Sequence, residues 1–157
     1  MSTKITLNKN AIDRLDISIL TTEIEKLLTQ GGDKLKEQQL QFAIDYQQAA
    51  DDPRELSEVP EIRLWFVRAD ALYPWLPLIL DWKSGELVRY TAMLVPHQFS
   101  RSEGIIFNPE ALEIYVMHKI FVLAQWSKKY NLAIGSSLSS FSQLFGYEIT
   151  ADFLEQL

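Results

Sequence analysis

Asn108-Pro109-Glu110 limits what this chain can fold into more than any other feature, because it fixes the start of a long helix. The Asn side chain can accept from the free amides of a first turn, proline suits the first helical position, and the acid complements the positive end of the helix dipole. The spacing that follows predicts a helix running to about Tyr130. At about 100° per residue, Leu112, Val116, Ile120 and Leu123 share one broad apolar sector with Tyr115, Trp126 and Tyr130, and that sector is expected to face a sheet. A second stripe, Ile114, Met117 and Phe121, points away from the first among Glu110, Gln125 and Lys128. An ordinary surface helix carries no such stripe. Either short C-terminal helices over Leu138 to Phe145 and from Thr150 onward fold across it with Phe141, Leu144, Phe145, Phe153 and Leu154, or part of it stays open for a partner helix.

The remaining elements are read from shorter patterns. Ile5 and Leu7 share one face of an opening strand over residues 3 to 8. From about Ser18, Ile19/Leu20, Ile24 and Leu27/Leu28 predict an amphipathic helix that Gly31-Gly32 stops. After a polar linker from Asp33 to Gln38, Leu40, Phe42, Ile44 and Tyr46 alternate with Gln39, Gln41, Ala43 and Asp45, the pattern of a half-buried strand. Asp51, Asp52, Glu55, Glu58 and Glu61 make an acidic loop in which Pro53 and Pro60 discourage regular structure. Ile62 to Ala69 reads as another strand, and Tyr73-Pro74-Trp75-Leu76-Pro77 as an extended edge or corner. Leu78 to Trp82 and Leu87 to Val95, joined by Lys83-Ser84-Gly85-Glu86, read as a hairpin, with a helix over Leu87 to Leu94 as the alternative. The expected fold is α+β: an antiparallel sheet of about four strands packed against the long helix, with N-terminal and short C-terminal helices. Residues 1–157 are expected to form a single domain.

Composition removes whole classes of chemistry. With 47% hydrophobic and 23% charged residues the chain is not of the disordered type. A net charge of -6 argues against nucleic acid, which is bound through Lys and Arg. The absence of cysteine closes disulfides, thiolate metal sites, iron–sulfur ligation and a cysteine nucleophile. No stretch approaches roughly 18 uninterrupted apolar residues, and no signal-peptide core follows Met1, so a cytoplasmic protein without a membrane span is expected. Neither a Gly-rich phosphate loop nor H-E-x-x-H occurs, and the acidic loop lacks the spacing of a calcium loop. No catalytic residue, metal ligand or cofactor site is assigned. One alternative stays open: a small hydrolase-like enzyme using His97 with Ser100 or Glu103 in the loop from Val95 to Gly104, although no Gly-x-Ser-x-Gly elbow is present.

Trp75, Trp82, Arg89, Tyr90, His97, Phe99, Arg101 and Phe107 are the candidate protein-binding residues. Trp, Tyr and Arg combine large buried area with a polar handle and dominate binding hot spots. The competing reading places the tryptophans in the core and pairs Arg89 and Arg101 with carboxylates such as Asp81 and Glu103. The acidic loop could steer a basic partner.

The segment from Asp51 to Leu123, with its unusual runs YPWLP (73 to 77) and YTAMLVPHQFS (90 to 100), resembles the chlororespiratory reduction six family of cyanobacteria and chloroplasts. The resemblance implies a non-enzymatic, chaperone-like assembly factor for the photosynthetic NAD(P)H dehydrogenase-like complex. Its partner would be the iron–sulfur I subunit before incorporation, with transient contact with membrane-bound assembly intermediates. A stable accessory subunit of the complex is the alternative. The resemblance carries no catalytic or ligand residues. Lacking a transit peptide, the chain fits a cyanobacterial cytoplasmic member, where chloroplast relatives would be stromal. A cysteine-free factor would hold protein surface and not donate a cluster through thiolates.

Overall fold

A computed structural model of the chain describes residues 2–31, 37 and 39–157. The chain folds into two compact units, Met1–Ile106 and Phe107–Leu157.

The first unit opens with β1 (Ser2–Asn8) and β2 (Gln39–Asp45), which pair in parallel with Ile5 opposite Phe42 and Leu7 opposite Ile44. Parallel pairing needs a long crossover. Its described residues include two helices: α1 (Lys9–Asp13), which no pattern in the sequence announces, and α2 (Ser18–Thr29). Asn8 ends β1 and caps α1, its Oδ1 accepting from the Ala11 amide at 2.8 Å. Ile5 and Leu7 are buried, as are Ile12, Leu20, Ile24 and Leu27 of the two helices. Gly31, at φ +98°, follows the end of α2. Gly32 and most of the polar linker lie outside the described residues.

The expected four-stranded antiparallel sheet does not form. The described strands make two sheets of two, β1 with β2, and β3 (His97–Ser100) with β4 (Gly104–Phe107). Four expectations fail for identifiable reasons. Residues 62–69 are not a strand but lie within α3 (Pro60–Leu72): Pro60 occupies the first turn instead of blocking it, and Glu61 complements the dipole. The acidic loop holds one 3-10 turn, Leu56–Glu58, closed by a reciprocal capping box between Glu55 and Glu58. Tyr73 to Pro77 is not extended; Leu76–Ile79 form a 3-10 turn with Pro77 near its start. The hairpin expected across Ser84-Gly85 is absent, and the helical alternative holds as α4 (Glu86–Leu94). There Asp81 turns the chain. Its Oδ1 accepts from the Ser84 amide at 3.3 Å and its carbonyl from the Ser84 hydroxyl at 3.0 Å, and Gly85 adopts φ +86° immediately before α4.

The segment leading into α4 covers the second edge of β2 without adding a strand. Leu40 bridges Leu80, the Asp81 amide donates to the Leu40 carbonyl at 2.9 Å, and the Phe42 amide donates to Glu86 Oε2 at 3.3 Å. Inside, Phe66 of α3 is the centre of an aromatic cluster, edge-on to Phe42 at 5.1 Å, Trp65 at 5.0 Å and Tyr90 at 5.8 Å. The Trp65 indole donates to the Asp16 carbonyl at 2.8 Å, fastening α3 to the turn before α2.

The second unit is helical: α5 (Pro109–Lys129), α6 (Gly135–Leu144) and α7 (Ala151–Gln156). Asn108 caps α5 as expected, Oδ1 accepting from the Ala111 amide at 3.0 Å. Val116, Ile120 and Leu123 of the first apolar sector are buried. Within the unit, Tyr115 lies tilted against Phe141 and Phe107 lies edge-on to Phe145. The second stripe is covered in part. The Phe121 ring lies 6.3 Å from that of Phe153 in α7, while Ile114 is left 71% exposed.

Replacing Gly85 with alanine should cost about 1–2 kcal/mol, because an L side chain resists left-handed backbone and its Cβ would come within 3.3 Å of Arg89 Nη1. Trp65→Ala, which empties a fully buried site, should cost about 3–5 kcal/mol. Urea unfolding followed by tryptophan fluorescence measures the first, and far-ultraviolet circular dichroism the second.

Candidate functional site

The eight candidate residues separate into core and surface. Trp75 and Tyr90 are core residues. Trp75 lies edge-on to Tyr73 at 5.6 Å, and Tyr90 donates its hydroxyl to Asp70 Oδ1 at 2.7 Å beneath Phe66. Trp82 is half-buried and donates its indole N–H to the Pro77 carbonyl at 2.8 Å, which closes the 3-10 turn. Arg89 pairs with Glu86 at 2.7 Å and with the Ser84 carbonyl at 2.8 Å, not with Asp81. Asp81 accepts from Gln41 Nε2 at 2.8 Å, and that hydrogen bond, together with the Ser84 amide, holds its carboxyl below the usual carboxylate range. These residues organise the fold.

His97, Phe99, Arg101 and Phe107 lie on or beside the β3–β4 hairpin, a segment whose start the sequence pattern places in a loop. The three residues between the strands, Arg101, Ser102 and Glu103, are all exposed. A connection this short joins antiparallel strands. Phe99 and Ile106 are 48% and 42% exposed, so the hairpin presents two large apolar side chains and a cation at its turn. Phe107 is half-buried against Phe145. Ile106 was not among the candidates. Its partner strand makes its exposure visible, and the sequence alone shows only an apolar pair, Ile105-Ile106.

The hairpin is anchored through His97. Nε2 lies 2.8 Å from Ser57 Oγ and Nδ1 lies 3.0 Å from the Val95 carbonyl. With Nδ1 donating to the carbonyl, Nε2 is the acceptor for the Ser57 hydroxyl. The pair joins the 3-10 turn at 56–58 to the start of β3 across 40 residues of sequence. Sequence reasoning missed Ser57, which has no local signal. Both ring nitrogens of His97 are thus engaged outside the Ser100–Glu103 turn, by Ser57 and the Val95 carbonyl. Ser100 Oγ instead pairs with Ser102 Oγ at 3.1 Å and accepts from the Glu103 amide at 3.3 Å. Ser57 itself is buried.

The acidic loop is locked by its own cation. Arg54 reaches Asp52 with Nε at 3.0 Å and Nη2 at 2.8 Å, and its amide donates to Asp52 Oδ1 at 3.0 Å. The Arg54 side chain, then its amide, hold the Asp52 carboxyl well below the usual carboxylate range. Asp51, Glu55, Glu58 and Glu61 are exposed. Among the described residues no group of three or more His, Cys, Asp or Glu is placed to hold a metal ion, and no helix is long and apolar enough to cross a membrane.

A family model described as Chlororespiratory reduction 6 matches residues 7–156. The chain belongs to the chlororespiratory reduction 6 family. The match covers all the described α-helices and all of the strands except the first residues of β1, so the family character belongs to both compact units. No solved structure matches the chain. Membership is compatible with a role in assembly of the NAD(P)H dehydrogenase-like complex.

Ser57→Ala should lower stability by about 1 kcal/mol, and a double-mutant cycle with His97→Ala should return a coupling of similar size. Chemical denaturation measures both. For Asp52 the folded-state pKa is depressed, so its contribution is fully present above the ordinary carboxylate pKa near ~4 and is lost as pH falls toward the depressed value. The stability difference between the natural protein and Asp52→Asn should therefore be constant from neutral pH to about pH 5 and shrink below about pH 4.

Proposed function

We propose that this protein is a non-enzymatic assembly factor that binds the iron–sulfur I subunit of the photosynthetic NAD(P)H dehydrogenase-like complex before that subunit is incorporated. The family match over residues 7–156 carries this reading. The β3–β4 hairpin is the proposed contact, because it sets Phe99, Ile106 and Arg101 outward on a support fixed by His97 and Ser57. An exposed aromatic beside an exposed guanidinium is the combination that forms binding hot spots. Trp75 and Tyr90, whose side chains are buried, act by shaping the unit that carries the hairpin.

A cysteine-free chain has no thiolate to offer a cluster. Its role toward an iron–sulfur client is to cover surface that is later buried in the complex. The acidic residues Asp51, Glu55, Glu58 and Glu61 would speed encounter with a basic region of the client and orient it. The working compartment in this reading is the cyanobacterial cytoplasm, on the side where the peripheral arm is built.

The test is co-purification from cyanobacterial cells with Phe99→Ala and Arg101→Ala, which leave the His97–Ser57 anchor intact. The natural protein should recover the I subunit free of the whole complex. The double variant should keep its melting temperature and lose the client by tenfold or more, equivalent to about 1.4 kcal/mol or more. Co-migration with the complete complex in native gels would make it a resident subunit instead.

A further inference from the structure

Among the described helices α7 alone has no buried residue, and it is only six residues long. A helix this short does not form by itself in water, so α7 exists only while it is docked. The chain leading to it is tied down as far as Ile149. Gly146, at φ +90°, follows the end of α6, and the Ile149 carbonyl accepts from the Ser139 hydroxyl at 3.1 Å. Thr150 is exposed and caps α7, its Oγ1 accepting from the Phe153 amide at 3.1 Å. Beyond that cap the helix meets α5 through the Phe153 ring, 6.3 Å from that of Phe121, and through Lys128, which donates to the Leu157 carbonyl.

Packing beneath α7 is incomplete. A cleft of about 490 Å³ separates Leu154 and Glu155 from Ala124, Ser127 and Leu138 of α5 and α6. Side chains that face a gap forgo the dispersion contacts of a filled core. The position of the helix gives this looseness a consequence. Phe121 and Lys128 stand on one row of α5 with Ile114, at the spacing i, i+7, i+14. Thus α7 lies along the second half of the row, and Ile114, 71% exposed, marks where the cover stops.

We propose that α7 is a strap that undocks and redocks as a unit, hinged at Thr150, while α5 and α6 stay folded. Each opening frees the Phe121 ring, so that Ile114, Met117 and Phe121 face solvent together over about 10.5 Å of helix. Each closing hides the Phe121 end again. The protein in this way regulates the extent of its own apolar face. The device is independent of the client reading above, since it uses neither the hairpin nor the acidic loop.

Amide hydrogen exchange of the purified full chain, read residue by residue by NMR, tests it. The amides of Leu154 and Leu157, which bond within α7, should exchange roughly 10-fold to 100-fold more slowly than in an unfolded chain. They should still exchange at least about 1,000-fold faster than those of Ile120 to Ala124 on α5. Phe153→Ala should speed α7 exchange about tenfold and Thr150→Ala about fivefold, with protection at 120–124 and the melting temperature unchanged. Phe121→Ala should match Phe153→Ala, and the two together should add little to either. Protection of α7 equal to that of Ile120 to Ala124 overturns the proposal, because the helix would then open only with the whole unit. Exchange of α7 at the unfolded rate overturns it as well, by leaving no closed state. So does a fall in melting temperature in both Phe153→Ala and Thr150→Ala, which would make α7 part of the core.

Discussion

The packing of Phe66 is the contact on which the first unit depends. Its ring meets Phe42 from β2, Trp65 from its own helix and Tyr90 from α4, each edge-on, where the positive rim of one ring faces the negative face of another. A two-stranded sheet is not stable by itself in water. Here the strand pair is roofed by α1 and α2, and its aromatic residue is fixed by α3 and α4. Polar closure follows the same elements. The turn before α4 supplies the Asp81 amide to the Leu40 carbonyl, and the first residue of α4 supplies the Glu86 carboxylate to the Phe42 amide.

How much of this is readable in the amino-acid order depends on whether the determining contacts are local. Asn108 and Pro109 set the start of α5 within four residues, and the structure follows them. The alternation at 39–45 likewise marks a real strand, but its direction depends on a crossover that no alternation reveals. Residues 62–69 mislead because Ile62, Leu64, Trp65, Phe66 and Val67 are apolar on nearly all sides, which erases the period that separates helix from strand. The two that obscure the helical pattern, Leu64 and Val67, are the two that stay exposed. Pro60 and Glu61 carry the decisive signal, a helix start that has the look of a break.

The candidate site was legible by residue type and not by placement. Choosing large aromatics and arginines found Phe99 and Arg101, which are outward, together with Trp75 and Tyr90, which are interior. Only tertiary structure separates these groups. His97 drew attention as a possible base among Ser100 and Glu103, but its hydroxyl partner is Ser57, a residue that chain distance hides. The imidazole is a fastener that keeps a short hairpin at a fixed angle to the turn at 56–58. A hairpin of four-residue strands needs such support to present side chains in one arrangement.

The hydrogen bond from the Phe42 amide to Glu86 has a dynamic consequence. Glu86 is held in place by Arg89, and both belong to α4. The central amide of β2 is therefore shielded by a carboxylate that a helix must deliver. Its exchange with solvent requires that this contact open, which couples β2 to α4. Exchange at the Phe42 amide therefore reports on the docking of α4 as well as on the strand pairing.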